Sequence, residues 1–357
     1  MEGEVNNFAM VWIIVLASLC YCHTIAKFIP KGTTRFLTIL PISILFTILP
    51  LNLTTMHLGA TSSFLIAWLA NFKILLFAFD KGPLASNPPI PLSLFIPLAC
   101  LPIKIHYHSN KEIFEKNPSH QIGKNNYILV NYGLKILVLG FLIKLYDYKE
   151  LLHTNFILLV YSIHMYLGLE LLLAMFANLA RILMQVELEP QFNEPYLATS
   201  LQDFWGKRWN LMVSNILKPT VFEPTRSIST GLVGRKLAVF PGLLATFFVS
   251  GLMHELVFYN YGRQRTRWEV LWFFLIHGLS LCIEMGLKKA ENGKFRLPPM
   301  VSGPLTVMYV VTSFWLFFPP FLRGNADVKT CTEFLAFVEF VWNGRLVSPN
   351  DMSCPYL

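Results

Sequence analysis

Long runs of hydrophobic residues, separated by short polar stretches, extend over most of the chain. The runs show no period-two alternation of the kind that marks barrel strands, and they approach the roughly 20 residues that a helix needs to cross a bilayer. Because a backbone in lipid must satisfy its own hydrogen bonds, the runs predict transmembrane helices. We expect about eight, at residues 8–26, 36–53, 58–79, 127–146, 156–177, 237–258, 270–287 and 301–322.

A proline-rich apolar stretch, "SNPPIPLSLFIPLACLPIKI", lies between the third and fourth runs. Its prolines leave no uninterrupted segment long enough to span, so we expect it to dip into the bilayer or lie along it. The fold class is an all-α membrane protein, a polytopic bundle of about eight to nine transmembrane helices with re-entrant or interfacial segments. Since no repeat and no separable soluble part is visible, residues 1–357 are predicted to form a single membrane-embedded domain.

The composition agrees with this class, because 54% of the residues are hydrophobic and 14% are charged, against roughly 25% charged in a soluble domain. Two loops are basic, with Lys27, Lys31 and Arg35 in the first and Lys104, Lys111, Lys116 and Lys124 in the second. Basic loops face the cytoplasm, so the N-terminus is predicted to be lumenal. Counting runs forward places Arg263, Arg265 and Arg267 in the lumen, against the same rule. Either the 237–258 run does not cross fully or a neighbouring prediction is wrong.

The six cysteines are scattered along the chain and form neither a C-x-x-C pair nor a Cys/His spacing typical of zinc sites. We therefore expect no metal site and no disulfide framework. Cys331 and Cys354, both near the C-terminus, could pair only if that end of the chain lies in the lumen, where disulfides persist.

The segment "PQFNEPYLATSLQDFWGKRWN", residues 190–210, is too polar and irregular to be a membrane span. The count of spans places it on the cytoplasmic side, in a loop of about 181–236. Thr199 or Ser200 can cap a new helix there, which we expect over about 201–213.

This helix would carry two kinds of residue that suit a membrane surface. Trp205 and Trp209 are spaced to share a face, and so are Asp203 and Lys207, which could form an ion pair. Both pairs favour an interfacial amphipathic helix. Asn210 remains unexplained by that interpretation, because a side-chain amide at the inner end of an aromatic helix must find hydrogen-bond partners.

A second unusual stretch is "FFVSGLMHELVFYNYG", in which His254 and Glu255 lie inside the 237–258 run. Ionisable residues within a span are costly and are candidates for function, although a neutral histidine bonded within the bundle is an ordinary alternative. Ser250 lies one helical turn earlier, and its hydroxyl could hold the imidazole in one tautomer. Glu255 points elsewhere and is expected to pair with a neighbouring helix or with the arginines at 263–267.

Further polar residues fall within predicted spans, namely His164, Glu170, His277 and Glu284. We expect each to form a hydrogen bond between helices rather than to act in catalysis. His277 and Glu284 are spaced to share a face. Asn71 and Lys73 are expected to snorkel or to pair with Asp80.

These residues suit ester formation from a lipid alcohol. That reaction needs a base that takes the hydroxyl proton near neutral pH, and histidine is the natural choice. The acyl donor would be a thioester of a polyanionic carrier that arrives from the cytosol, where Lys207 and Arg208 are placed to attract it. The alcohol itself attacks, so no separate nucleophile is required.

"NEPYLATSLQDFWGKRWN", followed by "VSGLMHELVFY" and preceded by "WLANFKILLFAFDKGPL", resembles the plant wax synthase branch of the membrane-bound O-acyltransferase superfamily. The likeness extends over about residues 12–320. It implies an acyl-CoA:alcohol O-acyltransferase of the endoplasmic reticulum membrane, with a buried reaction chamber and no metal or prosthetic group. His254 matches the catalytic histidine of the superfamily, and Asn210 matches the asparagine that ends an F-W-x-x-R-W-N pattern.

Arg208 distinguishes this pattern from the W-W-N ending of the sterol and diacylglycerol acyltransferase branches. The wax synthase branch itself contains relatives that acylate sterols or transfer acetyl groups to diacylglycerol, so the resemblance leaves the acceptor open. The expected partners are acyl-CoA as co-substrate, a lipid alcohol and membrane lipids, without nucleic acid.

The predicted site comprises His254 and Asn210 as catalytic residues, Trp205, Lys207, Arg208 and Trp209 around the acyl-CoA, and Ser250, Asp203 and Glu255 in support. A proton-coupled membrane transporter is the alternative from another class, with His254 and Glu255 as a relay. The lack of an inverted repeat argues against it.

Overall fold

A computed structural model describes residues 2–86, 89–103, 118–184, 190–263, 265–290, 297–323 and 325–354. Within these ranges the regular elements are helical and no strand occurs, which confirms the all-α class. The predicted cytoplasmic residues Lys104, Lys111 and Lys116 lie outside the described residues.

The α-helices of the described ranges are α1 (Glu2–Ile25), α2 (Thr33–Ile48), α3 (Met56–Ser62), α4 (Asn71–Ala78), α5 (Leu92–Cys100), α6 (Pro118–Leu145), α7 (Thr154–Met184), α8 (Leu201–Asp203), α9 (Leu211–Leu217), α10 (Glu223–Val233), α11 (Val239–Gly262), α12 (Glu269–Ala290), α13 (Pro299–Ser313), α14 (Pro319–Arg323) and α15 (Ala326–Asn343). Three π-helical turns continue the chain between them, Ser63–Ala70 after α3, Phe204–Arg208 after α8 and Lys218–Phe222 after α9. The short 3-10 helices are Leu49–Asn52, Tyr146–Leu151, Pro195–Leu197 and Pro349–Asp351.

The chain is a multi-pass membrane protein. Within the described ranges, six stretches are long and apolar enough to cross a membrane, namely Gly3–Ile25, Thr33–Asn52, Met56–Ala78, Thr154–Ile182, Val239–Asn260 and Glu269–Ala290. They overlap six of the predicted spans, and all of the predicted 127–146 span except Tyr146 falls within α6. The predicted 301–322 span is wrong as one helix, because α13 ends at Ser313 and is only about 22 Å long. A hydrocarbon core is about 30 Å thick, and residues 314–318 form turns before the two prolines that begin α14.

Contacts divide the chain into two compact units, Met1–Pro102 with Phe192–Pro355, and Ile103–Gln191. All the predicted site residues lie in the first unit. The single domain over 1–357 stays a prediction.

In the second unit, α6 and α7 are joined by buried polar contacts. Lys135 Nζ and Glu170 Oε1 form an ion pair at 2.5 Å, with both side chains almost fully buried. Tyr146 Oη, just after α6, lies 2.9 Å from His164 Nδ1 of α7. The structural roles predicted for Glu170 and His164 are therefore confirmed.

In the first unit, the described residues of the proline-rich stretch form the nine-residue α5, which is too short to cross a bilayer. Lys73 Nζ, from α4, donates to the Leu98 and Leu101 carbonyl oxygens at 2.6 and 2.7 Å. It thereby satisfies carbonyls at the C-terminal end of α5. The expected pair of Lys73 with Asp80 is wrong. Asp80 accepts from Lys31 at 2.7 Å, and this bond lowers the pKa of the Asp80 carboxyl.

Contacts between loops show which helix ends share a membrane face. Glu4 Oε1 accepts from the Thr54 and Thr55 amides at 2.7 and 2.8 Å. Arg263, which follows α11, donates to the Leu53 carbonyl oxygen at 2.6 Å. The N-terminal end of α1, the turn before α3 and the C-terminal end of α11 therefore lie together. If the N-terminus is lumenal, Arg263 is lumenal too, with its guanidinium bound by backbone carbonyls.

The C-terminal helix reaches the same face. Glu333 of α15 accepts from the Met56 and His57 amides at 2.7 and 2.9 Å, so its carboxylate caps the N-terminus of α3. Cys331, one turn away at most, forms a disulfide with Cys354. The sequence allowed this pair if the C-terminal end is lumenal, and the disulfide lies on the face predicted to be lumenal.

Helices α11 and α12 pack closely because each presents a glycine to the other. A Cβ atom at Gly251 would lie 2.7 Å from Leu271 Cδ1, and one at Gly278 would lie 2.9 Å from Phe247 Cβ. Small residues at such contacts are typical of helix pairs in membranes. This pair carries His254 and fixes its position relative to α12.

Candidate active site

Residues 201–222, here called the re-entrant segment, begin and end at the same end of the α11–α12 pair. At its start, the Leu201 amide donates to Glu284 Oε2 in the last turns of α12, at 2.7 Å. At its end, Phe222 packs against Gly242 in the first turn of α11. Because α11 and α12 are antiparallel, these two contacts lie at one membrane face.

The middle of the re-entrant segment reaches the interior of the bundle. The Trp205 ring meets Phe247 of α11 and His277 of α12, each with centroids 5.4 Å apart. Phe247 and His277 lie well inside their spans. The segment is therefore not a helix that lies along the membrane surface, and that prediction is corrected.

The predicted helix over 201–213 is interrupted. Ser200 caps its start as expected, accepting from the Asp203 amide at 3.1 Å. The helical turns end at Arg208, however, and Trp209 is extended. Asn210 then has a left-handed backbone with φ of 38°. Trp209 consequently lies outside the helical turns, although its ring still meets that of Trp205 with centroids 6.4 Å apart.

Arg208 holds the turn together from inside. Its Nε donates to Asp203 Oδ2 at 2.7 Å, and its Nη1 donates to the Asn193 and Glu194 carbonyl oxygens, each at 3.2 Å. The predicted ion pair of Asp203 with Lys207 is wrong, because Asp203 pairs with Arg208. These contacts fix residues 193–194 against the re-entrant segment.

Lys207 differs from Arg208 because it is exposed. Within the described part of the chain its ammonium forms no ion pair or hydrogen bond. An anionic ligand can therefore approach Lys207, whereas the Arg208 guanidinium is largely engaged with protein atoms.

Asn210 caps α9. Its Oδ1 accepts from the Val213 amide at 3.4 Å, and asparagine tolerates the left-handed backbone that this position requires. Among the described residues, its Nδ2 has no hydrogen-bond partner. The side chain is half-buried, so its amide group remains available as a donor. A catalytic role for Asn210 stays a prediction that this geometry permits.

His254 is held in one tautomer. Its Nδ1 lies 2.8 Å from the Ser250 carbonyl oxygen. A carbonyl can only accept, so Nδ1 carries the proton and the neutral ring presents an unprotonated Nε2. The Ser250 carbonyl, not the predicted hydroxyl, makes this contact. Around the ring lie Trp68, Phe274 and Phe317, with centroids at 4.8, 4.3 and 6.0 Å.

The other polar residues of α11 and α12 bind protein atoms. Glu255 Oε1 accepts from the Leu271 amide at 3.1 Å and caps the start of α12, which agrees with a structural role. His277 Nε2 lies 3.2 Å from Ser313 Oγ of α13. His277 and Glu284 share the face predicted for them, since both contact the re-entrant segment.

Trp68 connects the two predicted catalytic residues. It contacts the His254 ring and belongs to the same buried cluster as Met212 and Val213, in the first turn of the helix that Asn210 caps. Sequence reasoning did not select Trp68, although it lies in the quoted "WLANF" stretch. The only signal was an indole N–H within an otherwise apolar run.

An imidazole whose Nε2 has no partner among the described residues, and which is lined by aromatic rings, can take a proton from an alcohol where water is largely excluded. The fold and the site thus agree with a membrane-embedded enzyme, while the role of His254 as a base stays a prediction. Residues 188–276, which include the re-entrant segment and His254, match the sequence model of the "Membrane bound O-acyl transferase family". The chain belongs to this family and is an acyltransferase.

Relatives match nearly the whole chain. Acyl-CoA–sterol O-acyltransferase 1 of Arabidopsis thaliana is 44% identical over 336 residues, covering 94% of this chain and 96% of the relative. Long-chain-alcohol O-fatty-acyltransferase of Simmondsia chinensis is 44% identical over 343 residues, covering 94% and 95%. Probable long-chain-alcohol O-fatty-acyltransferase 1 of Arabidopsis thaliana is 43% identical, covering 95% and 98%.

Proposed function

We propose that the chain transfers the acyl group of acyl-CoA to a long-chain fatty alcohol and releases a wax ester. The observation that supports this most directly is the His254 imidazole, with Nε2 unprotonated and aromatic residues around it. A lipid alcohol partitions into such surroundings, and a neutral imidazole is the base that its hydroxyl needs.

The reaction balances with these groups. His254 Nε2 takes the hydroxyl proton while the alcohol oxygen attacks the thioester carbon. The carbon–oxygen bond forms and the carbon–sulfur bond breaks. The imidazolium then gives the former hydroxyl proton to the departing thiolate, which leaves as free CoA. In this proposal Asn210 Nδ2 donates to the carbonyl oxygen as its negative charge develops.

Sterols are the second candidate acceptor. The relative named for sterol acylation and the one named for long-chain alcohols are both 44% identical to this chain, so overall identity favours neither. The Arg208-containing pattern is shared within the branch and does not separate these acceptors. Further relatives named for long-chain alcohols support the fatty alcohol, and diacylglycerol belongs in the same comparison.

We also propose residence in the endoplasmic reticulum membrane. The Cys331–Cys354 disulfide supports a lumenal C-terminus, since such bonds persist in oxidising compartments. No metal or prosthetic group is required in this mechanism, because the alcohol is itself the nucleophile. A chelator should therefore leave the rate unchanged.

The test is ester formation by the purified full-length chain in lipid nanodiscs. Labelled acyl-CoA is supplied with fatty alcohol, sterol or diacylglycerol at equal surface density. We expect the highest kcat/KM with the fatty alcohol and one CoA released per ester. Faster turnover of sterol would make sterol the acceptor in place of the fatty alcohol. Absence of ester with every alcohol would refute the proposed function.

A further inference from the structure

The indole N–H of Trp68 is a buried donor without an acceptor. The Trp68 side chain is 2% exposed, and its Nε1 has no hydrogen-bond partner among the described residues. Buried N–H groups are nearly always paired in folded proteins, because burial removes their bonds to water. An unpaired one beside a reaction centre indicates an acceptor that the substrate brings.

Trp68 lies beside the proposed reaction centre. Its ring stands nearly perpendicular to the His254 imidazole, at 78° with centroids 4.8 Å apart. It also belongs to the buried cluster at the first turn of α9, which Asn210 caps. Trp68 is thus adjacent to both the base and the helix that carries the predicted amide donor.

We propose that the Trp68 N–H donates a hydrogen bond to the carbonyl oxygen of the acyl thioester, which makes Trp68 a further catalytic residue. The inference rests on the proposed function. The carbonyl oxygen is the partner that the chemistry favours, because it gains negative charge as the alcohol attacks. A bond to the alcohol oxygen would instead withdraw the lone pair that must attack.

Trp12 offers a matched control. Its Nε1 is likewise buried without a partner in the described part of the chain, and it packs against the same cluster as Trp68. Its described ring contact is with Phe8, at 6.1 Å, and not with His254. Tryptophan-to-phenylalanine substitution removes the indole N–H at either position, but only Trp68 contacts the His254 ring.

The experiment compares Trp68→Phe and Trp12→Phe with the unsubstituted chain in nanodiscs. We expect Trp68→Phe to lower kcat by about 10²-fold, as loss of an oxyanion donor does elsewhere, with the acyl-CoA KM nearly unchanged. Trp12→Phe should stay within about twofold. The pH dependence of kcat should keep its midpoint in Trp68→Phe, because the donor acts on substrate and not through His254.

A second substitution separates the N–H from packing. Incorporating β-(3-benzothienyl)alanine at position 68 keeps the shape of the ring and replaces N–H by sulfur, and it should reproduce the loss. Full kcat in that variant, equal losses at positions 12 and 68, or a shifted pH midpoint would each overturn the inference. If the unsubstituted chain forms ester while the variants retain kcat, only the Trp68 assignment fails. If the unsubstituted chain forms no ester, the proposed function fails and the inference fails with it.

Discussion

A histidine within a membrane span can act as a base only if its proton is on the ring nitrogen that faces away from the substrate. In this chain the Ser250 carbonyl sets that arrangement for His254. The same helix directs the neighbouring Glu255 to the start of α12. One stretch of sequence thus contains two ionisable residues with different tasks, because adjacent positions on a helix point in different directions.

Asn210 has one observed role and one predicted role, since its Oδ1 caps α9 while its Nδ2 is the predicted donor to the substrate. Asn210→Ala should lower kcat by about 10²-fold with a smaller effect on the acyl-CoA KM. Asn210→Asp keeps an oxygen for the cap but loses the donor, so it should preserve thermal stability and still lose kcat. A normal kcat in Asn210→Asp would show that only the cap matters. Normal turnover with a raised acyl-CoA KM in Asn210→Ala would make Asn210 a binding residue.

At the scale of elements, the re-entrant segment depends on Arg208 for its shape and on Lys207 for its charge. Arg208→Lys should lower kcat, because a single ammonium cannot reproduce the contacts with Asp203, Asn193 and Glu194.

Lys207→Ala should raise the acyl-CoA KM strongly at low ionic strength and less at high ionic strength, with kcat unchanged. The reason is that exposed charges are screened within about 8 Å at physiological salt. A KM for Lys207→Ala that is indifferent to salt would mean that the donor enters elsewhere.

The contact between α11 and α12 predicts a stability difference between two glycines of one helix. At Gly278 an added methyl would meet Phe247, whereas at Gly286 nothing lies within 4 Å. Gly278→Ala should therefore lower the melting temperature in detergent, because overpacking a core typically costs about 1–3 kcal/mol of stability. Gly286→Ala should leave it unchanged or slightly raised. Equal melting temperatures would contradict the close packing.

The sequence predicted the elements that depend on local pattern. The spans follow from hydrophobic length, the Ser200 cap from its position before Asp203, and His254 from being ionisable within a span. The break at Trp209 and Asn210 was not predictable in this way, because it depends on the contact of Arg208 with residues 193–194.

Other features required the tertiary structure. The hydrophobic content of 301–322 predicted one span, but residues 314–318 turn before the two prolines that begin α14. The indole N–H of Trp68 was too weak a signal to single it out, since tryptophan in an apolar run is ordinary. Its importance follows from the His254 ring beside it.

At the scale of the whole molecule, the membrane orientation can be measured through the C-terminal disulfide. Cys331→Ser frees Cys354, which should react with a membrane-impermeant maleimide only after microsomes are permeabilised. In a variant without other cysteines, Lys207→Cys should react in intact microsomes, because the re-entrant segment begins at the opposite end of α11 and α12 from Arg263. Labelling of position 354 in intact microsomes would show that the orientation in the membrane is the reverse of the predicted one.

The decisive measurement is the rate of ester formation by purified His254→Ala in nanodiscs, relative to the unsubstituted chain at saturating acyl-CoA and fatty alcohol. Loss of a positioned base should reduce kcat by about 10²- to 10⁴-fold, while the melting temperature and membrane insertion remain close to normal. A well-folded His254→Ala protein that retained more than a few per cent of the activity would show that His254 is not the base.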